Sequence, residues 1–315
     1  MTPPAAAEPR AAARVSRPKV VYVMGAGRSG STILGVTLGN CAGVFYAGEL
    51  DAWLVRAGVP QLDDAERVRF WGEVRAQVAG ARDLFGVEAQ RCLERSLALL
   101  RVRRWPARRR LRGPYRRVAE DLYLAVARTA GVEHVVDTSH YPLRARELQA
   151  LRGVELHLVY LVRDPQSVVA SYNRRDVAQY SKATLTTNVY LWLTNLLAVA
   201  VFLRHPRDRR LVLRYEDFVA DPPRALRRVL DLVGSPAATP PLEELSTGLA
   251  FQGNRVLRTP TVALKARADA PARPSRLTAL LQWPWKLLLG RLRPTTATPA
   301  AAAAMLPTPA GACGS

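Results

Sequence analysis

The chain has 315 residues, 49% of them apolar, and carries 46 Lys plus Arg against 26 Asp plus Glu, a formal charge of +20. That length and apolar content supply the core of one large α/β domain and exclude a chain that is disordered throughout. Three cysteines far apart in sequence, Cys41, Cys92 and Cys313, exclude a disulfide scaffold, and the absence of CxxC or HxxxH spacing argues against a zinc site.

Lysine occurs only at 19, 182, 265 and 286, so the basic excess is almost entirely arginine and directs attention to anionic partners. Residues 1–18 lack an apolar segment of the kind a secretory signal needs and read as a disordered leader; their Ala and Arg content also suits a transit peptide. The default compartment is the cytoplasm. Lys19 to Met24 (KVVYVM) reads as a buried strand, GAGRSGST follows, and Ile33 to Leu38 carries helical apolar spacing. Gly43 to Ala47 reads as a second strand, ending at Gly48 and Glu49 before a helix that begins near Asp51.

An Arg-rich excursion covers 63–129, and three further strands are expected at His134–Val136, Leu156–Val162 and Leu211–Leu213, each leading into a helical pattern. Repeated strand-then-helix order implies a parallel sheet covered on both faces. The apolar run Val189 to Leu203 is about 15 residues, shorter than the ~20 of a membrane span, and is expected to be a buried helix. After Pro222, apolar residues at Leu226, Val229, Leu230 and Val233 predict a helix stopped by Gly234. The domain extends to 292, and 293–315 is a low-complexity tail.

Gly25, Gly27 and Gly30 between a strand and a helix let several N–H groups converge on an anion at the helix N-terminus. The lysine that a nucleoside triphosphatase carries after its last glycine is absent, since Gly30 is followed by Ser31 and Thr32. Arg28 is the cation inside the loop. A strand ending in an aspartate for Mg²⁺ is not evident, although Asp137 is a candidate.

The GAGRSGST loop resembles the 5′-phosphosulfate-binding loop of the sulfotransferases that use 3′-phosphoadenosine 5′-phosphosulfate (PAPS). LVYLVRDPQSVVAS, with Arg163 at a strand end and Ser171 eight positions later, resembles their 3′-phosphate-binding motif. LRYEDFVADP at 213–222 and QGNRVLR at 252–258 resemble a later strand-end segment and the loop that closes over the 3′-phosphate. The likeness is to bacterial and tyrosylprotein or carbohydrate-type enzymes rather than the cytosolic phenol-type ones, whose loop has Lys where Arg28 stands.

The resemblance implies an α/β fold with a P-loop-NTPase-like parallel sheet flanked by helices, here with an Arg-rich helical insertion. It implies a PAPS site from Gly27, Arg28, Ser29, Gly30, Ser31, Thr32, Arg163, Ser171, Tyr215, Asn254 and Arg255, without a metal. The acceptor is expected to be a hydroxyl of a carbohydrate, lipid or small metabolite, an anionic glycan included. Arg28 is expected to offset charge on the leaving group, and Glu49, whose GEL resembles a GE-containing motif of tyrosylprotein-type enzymes, to act as base. A helix-start carboxylate is the other reading of Glu49.

His140 stands in DTSH where related sequences show a Lys that touches the sulfate, so either the imidazole is protonated in the complex or another Arg substitutes. A plain loop histidine is the other reading. His134, His157 and His205 are assigned to packing or solvent. RVRRWPARRRLRGPYRR at 101–117 holds nine Arg in 17 residues and suggests a lid or wall beside the acceptor, or a solvated insertion. Nucleic acid is not an expected partner, whereas 283–292 and the helix near Leu191–Leu203 offer stripes for peripheral membrane contact. A P-loop kinase and a non-catalytic PAPS or polyanion binder are the alternative functions.

Overall fold

The computed structural model describes residues 17–172, 184–264 and 276–291, so the leader before residue 17 and the tail from 293 lie outside the described residues. In chain order the elements are β1 (Lys19–Gly25), α1 (Ser31–Gly39), β2 (Val44–Gly48), α2 (Ala52–Val55) and α3 (Ala65–Gln77). Three short 3-10 turns and one π-helical turn lie within 81–104. Then come α4 (Trp105–Ala130), β3 (His134–His140), α5 (Pro142–Leu148), β4 (Glu155–Val162), α6 (Pro165–Tyr172) and α7 (Thr184–Arg204). The chain continues through β5 (Arg210–Arg214), α8 (Tyr215–Ala220), α9 (Pro222–Leu232), β6 (Leu245–Ser246), β7 (Thr261–Val262) and α10 (Arg276–Arg291).

Five strands form one parallel sheet in the order β2-β3-β1-β4-β5. Period-two alternation assigns its faces. Val20, Tyr22 and Met24 enter one core with α3, α4, α5 and α7, while Val21 and Val23 enter the other with α1, α8 and α9. The chain leaves β1 toward β2 and β3 on one side and later returns to build β4 and β5 on the other. The crevice beyond the carboxyl end of β1 is therefore the topological switch point, where such sheets bind ligands. The α/β architecture expected from the sequence is the one observed.

Two expectations need correction. The run around Val189–Leu203 belongs to a longer helix, α7, and only one face of it is buried. Leu191, Ala198 and Phe202 are covered, whereas Val189 and Leu196 are more than half exposed at 59% and 56%.

The basic run, in turn, is mostly helical, and three of its nine arginines are structural. Arg108, Arg112 and Arg116 lie one turn apart on α4 and all reach Glu147 of α5, at 2.9, 3.2 and 2.7 Å. Glu147 is buried, so this triple clamp answers a desolvated carboxylate and commits these three arginines to the scaffold. Arg101, Arg103, Arg109, Arg110 and Arg117 remain exposed.

Among the histidines assigned to packing or solvent, His134, His157 and His205 are all buried. His157 meets the Glu155 carboxylate at 2.8 Å, and His205 Nε2 lies 3.0 Å from the Leu156 carbonyl.

Candidate active site

The exits of all five parallel strands carry the residues singled out from the sequence. At the exit of β1 the loop turns sharply: Arg28 adopts a left-handed φ of 68° and Gly30 a φ of 93°, and α1 begins at Ser31 without a side-chain cap. The first N–H groups of a helix have no intrahelical acceptor, so those of Ser31 and Thr32 are left to a ligand, and the helix dipole favours an anion there. Ser29, Ser31 and Thr32 are buried beneath the loop.

Glycine is required where the loop leaves β1: Gly25 has a φ of 154°, and a Cβ there would stand 2.4 Å from the Leu161 carbonyl oxygen. A Cβ on Gly30 would stand 2.3 Å from the Tyr215 ring, and one on Gly27 would stand 2.5 Å from the Tyr172 hydroxyl.

The exits of β4 and β5 close on this loop. Arg28 Nε donates to Ser171 Oγ at 3.2 Å, and Arg163 Nη1 donates to the Arg28 carbonyl at 3.2 Å. The Arg163 guanidinium lies 4.3 Å from the centroid of the Tyr215 ring, a cation–π contact that fixes its plane. The Asp164 carboxylate accepts from Ser167 N at 3.0 Å and starts α6, while Asp164 N donates to Glu216 at 2.8 Å. Arg28, Arg163, Ser171 and Tyr215, drawn from three strand exits far apart in sequence, thus form one basic cluster. Loop amides, two guanidinia and a hydroxyl suit a phosphate-rich ligand.

At the exit of β2, the Glu49 amide donates to the Gln252 carbonyl at 2.8 Å, and the Gln252 side chain hydrogen-bonds the Glu49 carboxyl. Burial pushes that carboxyl up to about 7; Asp137 raises it further, while the Gln252 bond and the Arg28 charge pull it back. Gln252 opens the late segment, which docks here. Phe251 N donates to the Ala47 carbonyl at 2.9 Å, and a Cβ on Gly253 would lie 3.6 Å from the Thr32 methyl. Asn254 caps the following turn by accepting from Arg255 N at 2.8 Å, and Arg255 is exposed.

At the exit of β3, His140 has a left-handed φ of 55°, and its Nε2 would lie 3.8 Å from a Cβ on Gly27. Burial pushes its imidazole down to about 4, with the Arg95 charge adding to the effect, so the ring is neutral near pH 7. Arg95 belongs to the insertion. It sits 4.8 Å over the Tyr141 ring and is held by Gln90 Oε1 at 3.0 Å.

Behind this edge, Asp137 is engaged on both oxygens. One accepts from Ser139 N at 2.8 Å and the other from the Tyr123 hydroxyl at 2.5 Å, with Arg144 at 3.3 Å. Arg144 also reaches Glu94 at 2.9 Å. A carboxylate committed to these donors is part of the scaffold of the site, not a ready Mg²⁺ ligand. Among the described residues, no group of three or more His, Cys, Asp or Glu could hold a metal ion.

Sequence reasoning missed Arg95, Gln252 and Tyr172. Arg95 sits in no recognisable motif; Gln252 opens the QGNRVLR segment and Tyr172 directly follows Ser171, but nothing in the sequence singled out either side chain as part of the site.

The Sulfotransferase family model matches residues 18–239. The sulfotransferase domain from the curacin biosynthetic pathway superposes with a TM-score of 0.51 at 16% identity, over 85% of this chain and 98% of that one, which shows a shared fold. Similar too are the sulfotransferase domain of the Synechococcus PCC 7002 olefin synthase (TM-score 0.49, 22% identity, 85% and 94% of the two chains) and sulfotransferase STF9 from Mycobacterium avium (0.47, 14%, 88% and 77%). A comparison with curated proteins gave no match. With the family model covering well over half of its length, the chain belongs to the sulfotransferase family, whose co-substrate is PAPS.

Proposed function

We propose that the chain transfers the sulfuryl group of PAPS to a hydroxyl of a carbohydrate, lipid or small-metabolite acceptor by in-line displacement. The observation that carries this reading is the convergence of Arg163 and Ser171 on Arg28 beside the uncapped start of α1. The loop amides from Gly27 to Thr32 would receive the 5′-phosphosulfate, and Arg163 with Ser171 the 3′-phosphate. Tyr215 sets the plane of Arg163. Asn254 and Arg255 would border the donor from the late segment.

In the step itself the acceptor oxygen attacks sulfur and gives its proton to Glu49, as the bond from sulfur to the 5′-phosphate oxygen breaks and that oxygen leaves with the electron pair. The transition state is loose, so positioning and charge stabilisation dominate, by analogy with phosphoryl transfer. Arg28 offsets the charge growing on the leaving phosphate. A base is most effective when its pKa lies near the working pH, and the desolvated Glu49, at about 7, meets that condition. Neutral His140 donates one hydrogen bond at most. Arg95 supplies a fixed positive charge beside His140, which favours an acceptor bearing an anionic group near its hydroxyl.

A kinase fits less well, because no lysine follows Gly30 and Asp137 is bound to Arg144, Tyr123 and Ser139. Transfer of label from PAPS into acceptor pools by wild type and Glu49→Gln tests the assignment. Lost turnover with retained donor binding is expected, and unchanged turnover would remove Glu49 from the mechanism.

A further inference from the structure

Among the described residues, sixteen large apolar side chains are exposed, and nine of them lie on α7 and α10. On α7 they are Leu185, Val189, Trp192, Leu196 and Leu203, at spacings of 4, 3, 4 and 7, which keep them in one narrow stripe. On α10 they are Leu277, Leu280, Trp283 and Leu287, with Leu280 at 74% and Trp283 at 61% exposure. The helices form one packed pair: Trp192 Nε1 donates to the Leu281 carbonyl at 2.7 Å, and the Trp192 and Trp285 rings meet at 4.9 Å. Their outer faces have no cover among the described residues.

Leu185–Arg204 is long and apolar enough to cross a bilayer by composition, with a mean hydropathy of 1.5. Its inner face is committed to the domain instead. The Tyr160 hydroxyl donates to Asn195 Oδ1 at 3.0 Å, Thr194 meets Ser96 at 3.3 Å, and Asn188 bonds Thr278 and Gln282. Such a helix lies along a surface rather than spanning one.

Charge selects the surface. Neither α7 nor α10 contains Asp or Glu, Arg204 and Arg276 are exposed at helix ends, and the whole chain carries +20. Two copies meeting through this face would bring like charges together, whereas an anionic bilayer attracts the rim and takes up the apolar stripe. Exposed tryptophans suit the boundary between headgroups and acyl chains. The face also borders the site, since Tyr190 of α7 meets Tyr172 of α6 at 6.1 Å and α6 carries Ser171.

We infer that the α7–α10 face docks the enzyme peripherally on anionic lipid, holding its active site beside acceptors presented at that surface. Co-sedimentation of the full chain with phosphatidylcholine vesicles, with and without phosphatidylglycerol, tests this on wild type, on Leu280→Glu alone and on Leu196→Ser/Leu280→Ser/Trp283→Ser together. Retained binding of 3′-phosphoadenosine 5′-phosphate verifies the fold of each variant. Binding to the anionic vesicles that falls about tenfold or more in both variants is the expected result. Wild type remaining in the supernatant would overturn the inference, as would binding unchanged in the variants, which would mean charge alone holds the chain. A dimer seen by light scattering, lost in the triple variant and unaccompanied by vesicle binding, would assign the face to self-association and also overturn it.

Discussion

The donor side and the acceptor side of the site are built in opposite ways. On the donor side each element is a short contiguous motif: a glycine loop after β1, Arg163 and Ser171 around the start of α6, and Tyr215 opening α8. Parallel pairing of β1 with β4 and β4 with β5 brings these motifs together at one sheet edge. On the acceptor side Glu49, His140 and Arg95 are placed by contacts between remote segments, through Gln252, Tyr141 and Gln90. A buried network of Arg144, Glu94, Asp137, Tyr115 and Tyr123 supports them from behind. On the proposed assignment, recognition of the donor is local in sequence, whereas the proposed reacting groups depend on the integrity of the tertiary fold.

That contrast can be broken most sharply at Glu49. Glu49→Gln is expected to lower kcat about 10²–10⁴-fold with little change in donor affinity. In wild type, kcat/KM should rise with pH through about 7, because the base must lose its proton to act, and the variant should lose that limb. Stability gives a second readout with its own sign. The folded chain holds the Glu49 proton more tightly than the unfolded chain does, so stability from this group is present below the ordinary carboxylate range and is lost as pH rises through about 7. Glu49→Gln should accordingly raise the thermal midpoint above neutrality and leave it unchanged in acid, in scans at both pH values.

Next in size is Arg144→Met, which leaves Glu94 and Asp137 buried without their cation. A loss of about 3–5 kcal/mol in denaturant unfolding is expected, with donor-side residues untouched by the substitution itself. Arg163→Ala should weaken binding of 3′-phosphoadenosine 5′-phosphate by about 10–100-fold while leaving adenosine 5′-phosphate nearly unaffected, since a charge-assisted pair is lost only for the 3′-phosphate. Smallest is Arg95→Gln, expected to raise the acceptor KM about tenfold at unchanged donor affinity, and more for anionic acceptors than for neutral ones. Equal effects on donor and acceptor would show that the two sides are not separable.

The same contrast explains what could be seen in the sequence. Strands, the glycine loop and the Arg163–Ser171 spacing rest on periodicity and local backbone chemistry, and the structure places them at one edge as the sequence implied. The insertion was harder. Nine arginines between 101 and 117 look like a solvent-facing or ligand-facing surface, but the partner of three of them, Glu147, lies beyond β3 and has no local signature. Arg95 was invisible for the same reason, and Gln252, although it opens QGNRVLR, gave no sign that its partner is Glu49. The α7 stripe was half legible: its apolar run marked a helix with a contact stripe, but did not show that polar Thr194 and Asn195 turn inward to partners while Val189 and Leu196 stay outside.

Titration calorimetry of 3′-phosphoadenosine 5′-phosphate against adenosine 5′-phosphate, and against ATP with magnesium, on wild type and Arg163→Ala separates a PAPS site from a nucleoside triphosphate site. The bisphosphate is expected to bind wild type at least about tenfold tighter than either competitor, with that preference lost in the variant. Equal affinity for the two adenosine phosphates, or tighter binding of ATP with magnesium, would contradict it.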